Sequence, residues 1–421
     1  MQKIQQAAAE AVQSVLSGQN LTSALLASRR KGVLTDQERA AVQAYSYGTL
    51  RHLGLLRYML DKLVTRKPKE PIVSALLLVA LYQLEFGRAP QYAVVDHAVK
   101  TINLVAGQGL KSFANAVLRE YLRRREDLLR SAQHDDVARL SYPRWWIEKL
   151  RSQIGAQADT VLELGNTHPP MTLRVNRRRV TPAQYLSMLE QSQIEARVVG
   201  PSAVLLDVPL AVERLPGFSD GLVSVQDAGA QQSANMLDLR SGQTVIDACA
   251  APGGKAGHIL ELADVCLTAL DHDAERLTRI SDNLQRLSLK AKLRCADATQ
   301  LDTWWDGKPV DRVLLDAPCT ASGVVRRHPD VKWLRREKDV AGFVRQQRRL
   351  LEALWQVVAG GGKLLYVTCS VFQEENQDQV RQFLSTHADA ALVSRHASTA
   401  GELLLPTEEH DGFFHALFEK V

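Results

Sequence analysis

From about residue 235 the chain repeatedly changes period. Short apolar runs alternate with longer stretches of helical spacing, and this alternation constrains the fold more than any other feature. The runs are Thr244–Ala248, Cys266–Leu270, Lys292–Cys295, Val310–Leu315 and Lys363–Val367. The helical stretches between them include Lys255–Leu262, Asp273–Leu287 and Lys338–Val358. Strands that alternate with helices bury their apolar residues as a doubly wound α/β sheet, covered on both faces. Such sheets bind ligands beyond the carboxyl ends of their strands. Residues just past those ends are therefore the first candidates for function.

The first third reads differently. Ile4, Ala8, Ala11, Val12 and Val15 recur on one helical face. Further helices are predicted over Gln37–Leu56, with Asp36 as a candidate cap, and over Ile72–Phe86, Tyr92–Leu104 and Ser112–Arg125. Between the two patterns, Thr172–Asn176 and Ala203–Val208 read as strands around a helix Pro182–Gln191, and Ser141–Trp146 reads as a hinge. With 421 residues, two to four domains are expected. The division read from the pattern is an all-α domain over 1–135, a small α+β linker subdomain over 136–230, and an α/β domain over 231–421.

Charge follows the same division. Residues 1–135 hold 19 Lys and Arg against 11 Asp and Glu, a net +8, which leaves −3 for the rest of a chain whose total is +5. A basic helical unit on a near-neutral body suits a polyanion such as nucleic acid, with a solubility surface as the plainer reading. Arg174, Arg177, Arg178 and Arg179 cluster at a strand end, as either a solvated turn or a phosphate-contacting rim. The apolar run Val73–Phe86 is interrupted by Ser74, Gln83 and Glu85 and is shorter than the ~20 residues of a membrane span. None of the five cysteines forms a CxxC pair, so neither a zinc site nor a disulfide framework is expected. A cytoplasmic protein without a metal or a membrane partner is the resulting expectation.

Cys249, Ala250, Ala251, Pro252, Gly253, Gly254 and Lys255 follow the first strand. The two glycines remove Cβ atoms where a ligand would approach the backbone, and the next helix offers free amides. The pattern is not GxGxxG, which favours an adenosine-containing ligand other than a dinucleotide. Asp271 after the second strand is placed to accept ribose hydroxyls, and Asp297 after the third to hold an adenine edge. Taken singly, each of these acids is as readily a turn or cap residue. Asp316-Ala-Pro-Cys319 follows the fourth strand and Thr368-Cys369-Ser370 the fifth. If those strands are neighbours, two thiols meet where ligand binds, which suggests nucleophilic chemistry. Cys266 and Cys295 are expected to be small buried hydrophobes.

These three elements, together with Glu374-Glu375-Asn376, resemble the RNA 5-methylcytosine methyltransferases, which depend on S-adenosylmethionine (SAM). Tyr47-Gly-Thr-Leu-Arg51, Ala93-Val-Val-Asp-His-Ala98 and Phe113-Ala-Asn-Ala-Val-Leu-Arg119 look like a NusB-type RNA-binding domain, and the combination is similar to the bacterial Fmu/Sun family. The likeness spans essentially the whole chain and is weakest over 136–230. It departs at Ala256, where the family often has a hydroxyl residue. The resemblance implies a Rossmann-like class I methyltransferase domain that binds SAM through Cys249–Lys255, Asp271, Asp297 and Asp316 and acts on C5 of a cytosine in 16S ribosomal RNA. It further implies that Cys369 adds to C6, that Cys319 assists C5 deprotonation and release, and that Asp316 holds the cytosine edge. Lys255 would help to place the base or the cofactor loop. A free thiol pKa near 8.5 leaves little thiolate at pH 7, so the site should favour ionisation of Cys369 or deprotonate it on attack. The base must be looped out or single-stranded.

Nine cations between Arg326 and Arg349 follow the Cys319 loop and are expected to contact phosphate: Arg326, Arg327, Lys332, Arg335, Arg336, Lys338, Arg345, Arg348 and Arg349. The plainer reading is a solvated helix face. A monomer is expected. Two other functions fit these residues less well. An inactive RNA-binding or antitermination factor would have lost its thiols or glycines. An N-methylating enzyme would carry an Asn/Asp-Pro-Pro-Tyr loop after the fourth strand, where this chain has Asp-Ala-Pro-Cys.

Overall fold

A computed structural model describes residues 1–30, 34–66, 68–393 and 400–421. The chain divides into two compact units, Met1–His168 with Val325–Glu337, and Pro169–Val324 with Lys338–Val421.

The first unit is helical: α1 (Gln2–Leu16), α2 (Leu21–Arg30), α3 (Asp36–Arg51), α4 (Leu53–Leu63), α5 (Pro71–Phe86), α6 (Gln91–Ala106), α7 (Lys111–Ala132), α8 (Asp136–Leu140), α9 (Arg144–Ile154) and α10 (Ala158–Leu164). Helix α5 is its axis. Every residue from Ala75 to Leu81 is buried, so this helix is apolar all round and is packed on every side. Its one inward amide, Gln83, accepts from Gln5 Nε2 at 2.7 Å, and Glu85 at its end takes Arg125 at 2.8 Å, so these two polar interruptions of the run are paired. The cap of α3 is Thr35 rather than Asp36: its hydroxyl accepts the Glu38 amide while Glu38 reaches back to the Thr35 amide. The single helix expected over Gln37–Leu56 is broken at His52. The break lets α4 approach α8 so closely that a Cβ on Gly54 would lie 2.2 Å from the Val137 carbonyl oxygen.

Two further expectations fail in this unit. Tyr142 and Trp146, read as a hinge, are each only 1% exposed and belong to its interior. The segment Val325–Glu337 also returns here, so the run of nine cations is divided. Arg326 and Lys332 are buried rather than free for phosphate. The Arg326 carbonyl accepts from Arg51 Nη2 at 2.9 Å. Lys332 Nζ donates to the Arg51 carbonyl at 2.8 Å and to Asn166 Oδ1 at 2.7 Å, and lies 4.3 Å from the Tyr142 ring centroid. Burial, then the Arg51 charge, depresses its pKa well below the ordinary lysine value. Trp333 Nε1 donates to the Leu50 carbonyl at 2.7 Å, and Asp330 accepts the Leu21 amide at 2.9 Å.

The second unit holds two sheets. A small antiparallel sheet has β1 (Met171–Val175), β2 (Ala196–Val198), β3 (Ala203–Leu206) and β4 (Val223–Val225) in the order β2-β3-β1-β4, with helix α11 (Pro182–Gln191) packed on it. After α12 (Ala228–Met236) comes the doubly wound core: β5 (Thr244–Ala248), α13 (Gly254–Leu262), β6 (Cys266–Asp271), α14 (Ala274–Leu287), β7 (Lys292–Cys295) and β8 (Val310–Asp316). The helix Glu337–Val357 leads into β9 (Val358–Thr368). The helix Gln377–Thr386, β10 (Ala390–Val393), β11 (Glu402–Leu404) and β12 (Phe413–Lys420) complete the unit. The strand order is β7-β6-β5-β8-β9-β12-β10, with β11 on β12. Strands β5 to β9 run parallel, and β12 is antiparallel to β9. Between β5 and β8 the order reverses, which opens a crevice at their carboxyl ends. Residues Val245, Ala269, Leu314 and Leu365 pack under one face, and Ile246, Leu270, Val313 and Leu364 under the other. Among the described residues no helix is long and apolar enough to cross a membrane.

Candidate active site

Register places the site. Leu270, Ala248, Leu315 and Tyr366 are paired across four strands, so the next residues, Asp271, Cys249, Asp316 and Val367, form one row at the carboxyl rim. The sequence-read candidates Asp271, Cys249 and Asp316 are thus brought together. Asp297 stands beyond the end of β7 on the same rim.

Past β5 the loop turns sharply. Cys249 has φ 61° and Gly253 φ 94°. The Ala250 amide donates to the Leu270 carbonyl at 3.0 Å, and the Gly253 amide closes onto the Ala250 carbonyl at 2.7 Å. A Cβ on Gly253 would meet Ile280 Cγ2 at 3.1 Å, so this glycine serves the fold. A Cβ on Gly254 would find only Gln226 Nε2, at 3.6 Å, so this glycine leaves open space at the helix start. Asp271 holds the loop from the side: its Oδ2 accepts the Ala251 amide and its Oδ1 the Asp273 amide, each at 3.1 Å. Arg276 donates to the Ala251 carbonyl at 2.9 Å. Burial, and then the Asp316 charge, pushes the Cys249 thiol up to about 12, which makes it unreactive. Asp297 is exposed and accepts both the Thr299 amide (2.9 Å) and hydroxyl (2.8 Å). The backbone bond is the main cause of its lowered pKa.

Beneath the loop lie two features that sequence reading missed. Asp247, on β5, is fully buried, and neither oxygen has a hydrogen-bond partner among the described residues. Burial, with Asp316 adding to it, raises its pKa to about 8. Arg174 of β1 is the second. Its sequence neighbours place it in a solvated or phosphate-contacting cluster, but it is completely buried. It grips Glu261 through two bonds of 2.8 and 2.7 Å and donates to the Gly254 carbonyl at 2.6 Å. Its neighbour Arg178 pairs with Asp264 at 2.6 Å. A strand that ends in Arg-Val-Asn followed by three arginines gave no sign of which guanidinium turns inward.

Lys255 opens α13 and reaches across the crevice. Its Nζ lies 2.5 Å from Asp316 Oδ2. Burial opposes its charge, but the attraction and hydrogen bond of Asp316 outweigh burial and raise its pKa. The thiols lie just past the same strand ends, Cys319 three residues after Asp316 and Cys369 directly after β9. The Ala317 amide donates to the Val367 carbonyl at 2.9 Å and holds the Asp316–Cys319 turn against the end of β9. Cys319 Sγ and Cys369 Sγ are 3.3 Å apart. Cys319 is 8% exposed, whereas Cys369 is only partly covered, so the two sulfurs differ in access. The hydrogen bond with Cys369, then burial, then nearby negative charge keep the Cys319 thiol protonated well above its ordinary range. Cys266 and Cys295 are exposed, contrary to expectation: Cys266 opens β6 and Cys295 closes β7, the edge strand of the sheet. Among the described residues no group of three or more His, Cys, Asp or Glu is arranged to hold a metal ion.

A sheet of this order, with a glycine turn at its reversal point and an acid after the next strand, defines a SAM-dependent methyltransferase. The chain belongs to the RsmB/F 16S rRNA methyltransferase family. The model of that family, "16S rRNA methyltransferase RsmB/F", matches residues 234–419, a ferredoxin-like domain of RsmF/B-like methyltransferases matches 142–213, and the NusB family matches 2–123. Ribosomal RNA small subunit methyltransferase B of Vibrio cholerae is 41% identical over 99% of this chain and 97% of its own length. The protein of that name from Yersinia pestis is 41% identical over 97% and 96%. The crystal structure of the protein PH0851 superposes with a TM-score of 0.82 at 26% identity, covering 100% of this chain and 99% of that one. The fold class read from the sequence is therefore the observed one: a NusB-type helical part, a ferredoxin-like linker and a parallel-sheet methyltransferase domain.

Proposed function

We propose that the chain methylates C5 of a cytosine in 16S ribosomal RNA through a covalent bond from Cys369 to C6. The observation that carries this reading is the 3.3 Å pair of sulfurs at the carboxyl ends of β8 and β9, beside the Lys255–Asp316 pair. The relatives named for the small-subunit RNA supply the substrate class. In this reading Cys249–Lys255, Asp271, Asp297 and Asp316 hold SAM, whose sulfonium supplies an electrophilic methyl group. The open space over Gly254 suits such a ligand.

The chain's own groups do the rest. Cytosine C5 is a poor nucleophile until a thiolate adds to C6. Cys369, the more accessible sulfur, makes that bond, and electron density moves to C5, which takes the methyl group. Asp316 hydrogen-bonds the cytosine edge and favours a proton on N3 during addition. A base then removes the C5 proton, and β-elimination breaks the sulfur–C6 bond and restores the ring. Cys319, a thiol at contact distance from Cys369, assists these last two steps, and the C5 proton passes to solvent. Residues 1–135 bind RNA, 136–230 form the linker subdomain and 231–421 the catalytic domain. The protein works as a cytoplasmic monomer without a metal. Of the nine cations, Lys338, Arg345, Arg348 and Arg349 are exposed and remain available for phosphate. Binding should fall steeply with salt.

The test is adduct trapping with in vitro 16S transcript and SAM. Cys319→Ala is expected to accumulate a denaturation-resistant protein–RNA complex and Cys369→Ala to form none, with methylation lost in both. The reverse pattern transfers the nucleophile to Cys319. No methylated cytosine in transcript treated with the unaltered protein would sink the reading altogether.

A further inference from the structure

Behind the two thiols lies a buried carboxylate that touches neither of them. Glu375 ends the turn Gln373–Glu375 and is fully covered. Its Oε1 accepts the Thr320 amide at 2.9 Å and Gln347 Nε2 at 3.0 Å. Its Oε2 accepts the hydroxyls of Thr320 and Ser370, each at 2.5 Å. Thr320 is the residue after Cys319, and Ser370 is the residue after Cys369. One carboxylate therefore ties together the positions that follow both cysteines, although the two loops come from different strands.

The surrounding bonds make the tie rigid. Ser322 and Ser370 hydroxyls are 2.9 Å apart, the Val371 amide donates to Ser322 Oγ at 2.9 Å, and Gln347 also binds the Pro318 carbonyl at 3.0 Å. The Gly323 amide donates to the Cys369 carbonyl at 2.8 Å. Asn376 Nδ2 donates to the Ser370 carbonyl at 2.8 Å, while Tyr366 OH donates to the Glu375 carbonyl at 2.7 Å. Loops between strands are ordinarily the mobile parts of a fold. Here both are fixed by a saturated network of buried groups, which is costly to leave half made.

We infer that Glu375 is a positioning residue for the reaction: by binding the residue after each cysteine, it holds the two sulfurs at the separation from which Cys319 can assist release of the pyrimidine bound to Cys369. The inference rests on the proposed roles of the two thiols, but the clamp itself is testable without them. Removal of the carboxylate frees the loops to separate, and a displacement of about 1 Å costs an oriented reaction roughly 10²-fold. Glu375 also contributes to keeping Cys319 protonated, behind the larger effects of the Cys369 hydrogen bond and burial.

Two measurements on the full-length protein test this. In the first, methylation of 16S transcript is compared for the unaltered protein, Glu375→Ala and the near-isosteric Glu375→Gln. A fall in kcat of roughly 10²-fold in Glu375→Ala, with the KM for RNA and the affinity for SAM within about twofold of the original, is expected. In the second, diamide oxidises the reduced protein, taking two hydrogens as Cys319 and Cys369 form a disulfide that is read by peptide mass. The unaltered protein should close this bond at least tenfold faster than Glu375→Ala. Thr320→Val, which removes one hydroxyl of the clamp, should fall between them and serves if Glu375→Ala does not fold. Disulfide closure at an unchanged rate together with an unchanged kcat would overturn the inference. If the unaltered protein closes the disulfide rapidly and Glu375→Ala does not, yet neither methylates RNA, the clamp stands and the proposed reaction falls.

Discussion

The two sides of the crevice bury their carboxyl groups in opposite ways. On the glycine-loop side Asp247 of β5 is sealed without a donor among the described residues, and its pKa rises to about 8. On the thiol side Glu375 is as deeply buried but has four donors from Thr320, Ser370 and Gln347. Burial still raises the Glu375 pKa, while hydrogen bonds from Ser370, Thr320 and Gln347 pull the other way. A buried acid without partners avoids the desolvation cost by staying neutral, whereas one with several donors can keep its charge. The contrast follows the work of each side. The loop side is held by backbone turns and by Asp271, and its interior acid is left neutral. The thiol side must fix two flexible loops and spends a full set of hydrogen bonds on doing so.

The largest effect expected on the loop side comes from Arg174→Met. It leaves Glu261 a buried, unpaired charge, and loss of one partner of such a pair costs about 3–5 kcal/mol. It also removes the donor to the Gly254 carbonyl. Thermal denaturation should show the lower stability, and calorimetry with S-adenosylhomocysteine should show binding roughly tenfold weaker, the worth of one hydrogen bond to a charged donor. A destabilised protein with undiminished ligand affinity would show that the loop does not depend on β1, and the contrast between the two sides would narrow.

How far the sequence could be read follows from the same physics. The strands β5 to β9 and the residues after them were legible because strand ends in this fold are local signals: an apolar run, then Asp, Cys or Gly. The pairing of Cys319 with Cys369 needed only that β8 and β9 be neighbours, which they are. What stayed hidden depends on partners distant in sequence. Nothing local says that Arg174 finds Glu261, or that Lys332 goes inward to Asn166 while Lys338, six residues on, stays exposed. Glu375 belonged to a recognised motif, but its clamp is visible only once Thr320 and Ser370 stand side by side. His52 broke a predicted helix for the same reason, since the tight approach of α4 to α8 overrides helix propensity.

Asp247→Asn sharpens the comparison through pH. A carboxyl whose folded pKa lies above its unfolded value of 3.8 favours the folded state fully below that value. The contribution is lost as pH rises from about 4 to about 8. The unaltered protein should therefore lose stability across that window at up to ~1.4 kcal/mol per pH unit from this group. Asp247→Asn, measured by urea unfolding at several pH values, should remove that part of the slope. The gain at pH 7 will be smaller than the slope alone implies, because a buried amide without partners carries its own cost. The corresponding Glu375→Gln curve should not show the same gain, since the carboxylate there loses acceptors that four donors use. Parallel curves for the two variants would remove the distinction between the neutral acid and the clamped one.

The smallest effects on stability separate the two glycines of the loop. Gly253 has φ 94° and faces Ile280, so Gly253→Ala forces a side chain into the left-handed region and is expected to cost about 1–2 kcal/mol. Gly254→Ala meets only the end of Gln226 at 3.6 Å, so its stability should stay within about 0.5 kcal/mol of the original. Its effect belongs to the ligand. If SAM lies against this turn, the added methyl group occupies ligand space, and affinity for S-adenosylhomocysteine should fall with the fold intact. A Gly254→Ala protein that binds the ligand normally would move the donor site off the glycine turn while leaving the thiol side untouched.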